Sequence, residues 1–330
     1  MEKNVYTKED RLQIPAIFIP GFRSSIAIQN GVERNLLFRT WGGLGDQICA
    51  EPTLRYALKS FKDCKISLES ENPEFFQHLQ FDKVYNLKKG ERADHDKYLV
   101  FETITPPNDS NLVWQFFSHM LTNCVDFPSM CALRLQLPVS DKEVQLSDIG
   151  YRPQFKMVDK IIVHAGKHWQ SKTFPKDWWD QVLSAIIRKG ATPILIGANT
   201  DDNRGTVDVD TDGCIDLRNQ ISLMETVSLL KQAKVLLTND SSPMHMAVDS
   251  DAWIGFVATC KHPDHIGHWR RGEWMWRMEN HGKGGIWDVI NYCPNVENEV
   301  SAEFVGEENL RSWLPDPKDF AHWAVLKLAQ

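Results

Sequence analysis

The sequence predicts an α/β protein built from two Rossmann-like, doubly wound domains that face each other across a cleft. Three observations carry this. The 330 residues are too many for one ordinary hydrophobic core and suit two. Short apolar runs of strand length alternate with stretches of helical periodicity, as a parallel sheet requires. The alternation stops in a polar, turn-rich stretch at residues 147–153 and restarts at Lys160-Ile161-Ile162-Val163-His164, giving an N-terminal domain, 1–150, and a C-terminal domain, 151–330.

Residues 1–34 hold two short apolar runs around Pro20-Gly21 and read as a small hairpin ahead of the first domain. Asn35-Leu36-Leu37-Phe38-Arg39-Thr40 is a buried strand, followed by Trp41-Gly42-Gly43-Leu44-Gly45-Asp46 and an amphipathic helix through Leu54, Tyr56, Leu58 and Phe61. Strands at 65–68, 83–87 and 98–102 alternate with helical patterns at 74–79 and 113–124. In the second domain a helix over 176–189 leads to a strand at 193–196. A weaker strand covers 214–217, a helix runs over 223–232, and strands follow at 235–238 and 254–258. Ser242-Pro243 opens a further helix, and 320–328 forms a closing helix free to cross back to the first domain.

Composition excludes several classes. No window approaches the run of about 20 apolar residues that a membrane span needs. The start lacks the basic and then apolar segments of a secretory signal, so the expected location is cytoplasmic, without integral membrane association. Seven scattered cysteines with no Cys-x-x-Cys pair disfavour a disulfide scaffold or a zinc ribbon, and the net charge of −7 argues against indiscriminate nucleic-acid binding.

In such sheets the loops after the strand C-termini bind ligands. In the first of these loops, Asp46 reads either as a helix N-cap, the favoured reading, or as a carboxylate able to take a proton from an attacking hydroxyl. Its neighbours Trp41 and Gly43 are candidate acceptor contacts and Gly45 a candidate donor contact. The glycine spacing does not match the Gly-x-Gly-x-x-Gly dinucleotide fingerprint. In the second domain, residues 164–175 bring together His164, Gly166, Ser171 and Lys172; Lys172 is either a surface charge or the ammonium that neutralises a diphosphate leaving group. Asn239-Asp240-Ser241-Ser242-Pro243-Met244-His245 follows a strand, with Ser242 as the expected N-cap and Pro243 at the first helical position, so backbone N–H groups are available to a phosphate. A histidine in the place of His245 is often only a hydrogen-bonded structural residue.

These elements together resemble the heptosyltransferase-like glycosyltransferases of family 9. The resemblance rests on Gly45-Asp46 followed by Pro52 and Leu54-Arg55, His164-x-Gly166 with Ser171-Lys172, Asp216-Leu217 with Ser222-Leu223, and the run from Asn239 to His245. Ala165 stands where the family usually has proline, and Ser242 where it has glycine. The resemblance implies a GT-B fold and an inverting transfer from a nucleotide-diphosphate sugar of the ADP-heptose kind, with no metal and no other cofactor. It makes Asp46 the catalytic base, Lys172 the donor-phosphate contact, and residues 240–245 the donor-phosphate loop, with Asp240, Ser241, Ser242, Met244 and His245 touching the donor.

The segment from His262 to Trp287 departs most from the family. It interleaves His262, His265 and His268 with Trp269, Arg270, Arg271, Trp274, Trp276 and Arg277. The histidine spacing does not fit the usual zinc patterns. Rings alternating with arginine suit stacking on bases, but a packed cover over the donor site is the favoured reading. The expected acceptor is a lipopolysaccharide core or another lipid-linked or surface glycan; a hydroxymethylated DNA base and a non-catalytic nucleotide-binding scaffold are the alternatives.

Overall fold

A computed structural model describes residues 34–103, 143–168, 170–198, 205–257, 259, 269–270, 273–274 and 307–330. The hairpin expected in 1–34 falls outside them up to residue 33, as does the helix expected at 113–124. Of the segment 262–287 they include only an antiparallel backbone pairing of Trp269–Arg270 with Glu273–Trp274. The described residues fall into two compact units, one within Met1–Ser147 and Gly267–Trp274, the other within Asp148–Ile266 and Met275–Gln330.

In the first unit, β1 (Arg34–Thr40) buries Leu36, Leu37 and Phe38 in a row, as a strand covered on both faces does. Its turn leads to α1 (Leu44–Cys49) and α2 (Glu51–Ser60), two helices where the periodicity predicts one. Pro52 in the first turn of α2 has no N–H to offer the preceding turn, so the helix breaks at Ala50. β2 (Cys64–Ser70), β3 (Val84–Asn86) and β4 (Leu99–Glu102) complete a parallel sheet of order β3-β2-β1-β4. The helix expected over 74–79 is only a 3₁₀ turn, Pro73–Phe76. Adjacent Phe75 and Phe76 are both fully buried, so the segment plugs the unit instead of lying along it as an amphipathic helix.

The first change of unit falls between Ser147 and Asp148. The Ser147 hydroxyl accepts the His78 backbone N–H at 3.0 Å, within the first unit. The Asp148 carboxylate accepts the Ser228 hydroxyl at 2.5 Å and the Gly150 N–H at 2.8 Å, within the second.

The second unit holds β5 (Lys160–His164), α3 (Lys176–Arg188), β6 (Thr192–Leu195), β7 (Ile215–Asp216), α4 (Leu223–Leu230), β8 (Val235–Asn239), α5 (Ser242–Ala247), β9 (Trp253–Val257), α6 (Glu307–Trp313) and α7 (Pro317–Leu328). Its sheet is parallel throughout, in the order β9-β8-β5-β6-β7. Ile161, Val163, Val235 and Leu237 face Trp179, Val182 and Ile186 of α3 and Phe320, Ala321 and Ala324 of α7 in one apolar cluster. The closing helix therefore packs within the second unit. The Trp178 indole donates to Pro315 O at 2.9 Å, and its ring lies 5.6 Å from that of Phe320. A Cβ on Gly255 would come within 2.5 Å of the Trp323 ring, so glycine in β9 lets α7 lie close to the sheet.

Both sheets reverse direction once. From β1 the order runs outward through β2 and β3, then returns to β4 on the other side of β1; from β5 it runs through β6 and β7, then returns to β8. Ligands of open α/β sheets bind at such switch points, at the strand C-termini. The turn after β1 leads into the helix whose first turn carries Asp46, and the segments after β5 and β8 carry Lys172 and Asp240.

Candidate active site

Asp46 is not the cap of its helix. Gly43 holds the N-cap position of α1, and Asp46 lies in the first helical turn, partly exposed. The carboxylate folds back over the glycines, and a Cβ on Gly43 would lie 2.9 Å from its Oδ2. Gly42 adopts φ +95°, a conformation that favours glycine, which turns the chain out of β1 into the helix. The next residue, Gln47, is fully buried and pins this turn. Its amide donates to Gly42 O at 3.0 Å and accepts from Asn72 at 3.1 Å and from the Ser70 hydroxyl at 3.2 Å. Trp41 is 37% exposed and Gly43 is open to solvent, whereas Gly45 is partly covered in the helix.

Across the C-terminal edge of the same sheet, Arg39 lies between Glu69, at 2.5 Å, and Glu102, at 2.6 Å. Sequence reasoning did not single out this triad. It follows from the parallel register, which aligns Arg39 with both carboxylates.

In the second unit, Lys172 reaches Asp240, Nζ to Oδ2 2.6 Å. Lys172 closes a 3₁₀ turn, Gln170–Lys172, and Asp240 directly follows β8. The two residues meet because β5 and β8 are neighbours, with His164 beside Thr238 in register. The helix after β8 begins one residue earlier than expected: Ser241 is the N-cap, without a side-chain cap bond, and Ser242 and Pro243 are already helical. Pro243 has no N–H, and the Met244 N–H goes to Ser241 O at 3.1 Å, which narrows this helix start as a phosphate cradle.

Most of the other donor-site candidates lie beneath the loop. The Ser241 hydroxyl is 2.9 Å from that of Thr238, 3.0 Å from His164 Nδ1 and 3.2 Å from Asn239 O. Ser171 is fully buried, as is Met244, while Ser242 is partly exposed. Burial pushes His164 down to about 4, against an opposing hydrogen bond from Asn239. Burial likewise pushes His245 down to about 4, with Asp240 opposing and Lys172 assisting. Neither imidazole adds positive charge at neutral pH.

Asn239 was quoted in the motif without a role, and Thr259 was missed. The fully buried Asn239 amide donates to Gly166 O at 3.0 Å and to Lys172 O at 2.5 Å. A Cβ on Gly166 would come within 2.4 Å of Asn239 Oδ1, so glycine there admits the amide. The Thr259 hydroxyl donates to Ser171 O at 2.5 Å. A buried polar residue at a strand end that lacks a sequence-local partner was the available signal.

The model of glycosyltransferase family 9 (heptosyltransferase) matches residues 76–252. The chain belongs to glycosyltransferase family 9. The matched residues include Lys172 and the run from Asn239 to His245, while Asp46 lies before them. Among solved structures, this family 9 chain is similar to the iron-containing dodecameric glycosyltransferase TibC of enterotoxigenic E. coli H10407. TM-score is 0.62 at 16% identity over 90% of this chain and 76% of that one. A family 9 glycosyltransferase of Veillonella parvula DSM 2008 gives 0.57 at 14% identity, over 89% and 97%. E. coli ADP-heptose lps heptosyltransferase II gives 0.50 at 14%, over 70% and 86%. No curated protein matches the chain. The family 9 fold is thus mixed α/β with parallel sheets, of the GT-B type. Among the described residues no group of three His, Cys, Asp or Glu side chains could hold a metal, and no helix is long and apolar enough to cross a membrane.

Proposed function

We propose that this chain transfers a sugar, with inversion, from a nucleoside-diphosphate donor of the ADP-heptose kind to a hydroxyl of a lipopolysaccharide core or other surface glycan. The observation that carries the reading is the Lys172–Asp240 pair at the switch point of the second sheet, within the residues that match the family. TibC, similar in fold, has been solved in complex with ADP-D-beta-D-heptose, and heptosyltransferase II takes its name from lipopolysaccharide.

In this reading Asp46 takes the proton of the acceptor hydroxyl as that oxygen attacks the anomeric carbon. The bond to the diphosphate breaks on the opposite side, and Lys172 neutralises the charge gathering on the leaving phosphate. The two buried histidines stay neutral and keep the donor loop in shape. An ammonium so placed can do the work of a metal, so transfer is expected to survive chelation. Nothing described favours a DNA acceptor: of the segment that suggested one, only the backbone pairing of Trp269–Arg270 with Glu273–Trp274 is described.

The test is to incubate the purified chain with a panel of nucleoside-diphosphate sugars and core oligosaccharides, with and without EDTA. Mass spectrometry follows the acceptor, and free nucleoside diphosphate is measured in parallel. A glycosylated acceptor with matching nucleotide release is the expected result. Binding of a donor without release under any condition would make the chain a nucleotide-binding scaffold.

A further inference from the structure

We infer that Asn239 and Thr259 are positioning residues that set Lys172 for the donor phosphate. The inference rests on the donor-site reading above. Lys172 ends a turn of only three residues, Gln170–Lys172, between the two-residue strand Gly166–Lys167 and α3. The turn has local bonds of its own, from the Thr173 N–H to Gln170 O at 3.2 Å and from the His168 N–H to the Thr173 hydroxyl at 2.9 Å. Two buried side chains remote in sequence, at the end of β8 and just beyond β9, also hold its main chain.

Asn239, at the end of β8, spans the base of the loop, donating to Gly166 O at one side and Lys172 O at the other. Thr259, just beyond β9, donates to the carbonyl in between, that of Ser171. Asn239 is fully buried and Thr259 is 1% exposed, so water does not compete for these carbonyls. The residue after Asn239 is Asp240, which meets the Lys172 ammonium. Lys172 is therefore fixed at both ends by consecutive residues of one strand end, its carbonyl by Asn239 and its ammonium by Asp240. Neither amide nor hydroxyl need touch the sugar or the phosphate. Their effect passes through Lys172, and the cost of moving an ammonium by a fraction of an ångström falls on the diphosphate alone.

The experiment measures calorimetric affinity for ADP, GDP and UDP, each against its nucleoside, in the full chain. Thr259→Val keeps the shape and removes the donor; Asn239→Ala removes the clamp; Thr259→Ser restores a hydroxyl. We expect Thr259→Val and Asn239→Ala each to weaken the preferred diphosphate about fivefold or more while changing its nucleoside less than about twofold, and Thr259→Ser to recover most of the loss. In a Lys172→Met background the same changes should add less than about twofold.

Equal losses for diphosphate and nucleoside, or undiminished losses in the Lys172→Met background, would overturn the inference and leave two ordinary buried hydrogen bonds. Should Asn239→Ala not fold, Thr259→Val and Thr259→Ser decide the matter by the same ratio. Lys172→Met alone tests the reading beneath. If it leaves the diphosphate-to-nucleoside ratio unchanged, the donor-site assignment fails; if it shifts the ratio and the clamp variants do not, only the positioning role fails.

Discussion

The Lys172 ammonium and the Asp240 carboxylate lie 2.6 Å apart, with 15% and 5% of their side chains exposed. Removing one partner of a buried pair costs about 3–5 kcal/mol, because the other charge is left uncompensated. The residual exposure of Lys172 puts this pair at the lower end. Lys172→Met should lower Tm markedly, and Lys172→Met with Asp240→Asn should recover most of the loss. A double variant no more stable than the single one would show that the pair contributes little to the fold.

Asp46 has a different profile, since it sits in the first turn of a short helix and is partly exposed. Asp46→Asn keeps the shape and removes the proton acceptor. Transfer should fall about 10²-fold or more, with donor affinity and Tm nearly unchanged. Near-normal turnover in this variant would strip Asp46 of the role of base.

Two glycines should respond in opposite ways. At Gly43 an added methyl meets the far end of the Asp46 side chain, at 2.9 Å, which can move aside. Gly43→Ala should therefore cost less than about 1 kcal/mol while displacing the carboxylate and slowing transfer about tenfold. At Gly166 the methyl meets Asn239 Oδ1 at 2.4 Å and His164 Cε1 at 2.8 Å, both parts of buried side chains that cannot retreat. Gly166→Ala should destabilise the fold by about 1–3 kcal/mol or more. Chemical denaturation and turnover, measured on both variants, separate the two effects.

The buried histidines give a dependence on pH. His164 and His245 have folded pKa values near 4, below the ordinary 6.5. Between these limits the unfolded chain binds protons that the folded chain refuses, so stability is fully present above pH 6.5 and falls as pH drops toward 4. Each histidine contributes a slope of up to about 1.4 kcal/mol per pH unit. In His164→Gln the urea-unfolding free energy should vary less steeply across this window, whatever its absolute value. An unchanged slope would mean that His164 takes up its proton in the folded chain.

Local pattern made much of this molecule legible. The alternation of apolar runs gave β5 at its observed bounds, 160–164, and most other strands within a residue or two, because buried parallel strands are short, continuous and hydrophobic. The Gly-rich turn and the run from Asn239 to His245 were visible as segments after strands, and the structure brings Lys172 and Asp240 of two such segments together. What escaped depended on distance in sequence. Asn239 reaches 73 residues back to Gly166, and Thr259 reaches 88 back to Ser171. Arg39 finds Glu102 63 residues on. No local window contains such pairs. The caps were misplaced for a smaller reason: Gly43 and Ser241 hold cap positions without a side-chain bond, so residue preference pointed to Asp46 and Ser242 instead.

The seating of α7 against α3 and the sheet has a consequence for how the second unit comes to exist. Trp178 packs on Phe320, more than a hundred residues later in the chain, and Trp323 lies over Gly255. Contacts this remote in sequence form slowly, since a long loop must close before they return any energy. During synthesis the strands β5 to β9 leave the ribosome well before residues 317–328, with the apolar face that α7 will cover still open to water. A nascent chain paused before residue 317 already carries α3 and the strands β5 to β9 but not the helix that covers them. In that interval the second unit exposes the apolar face that α7 later covers, the kind of surface through which nascent chains aggregate.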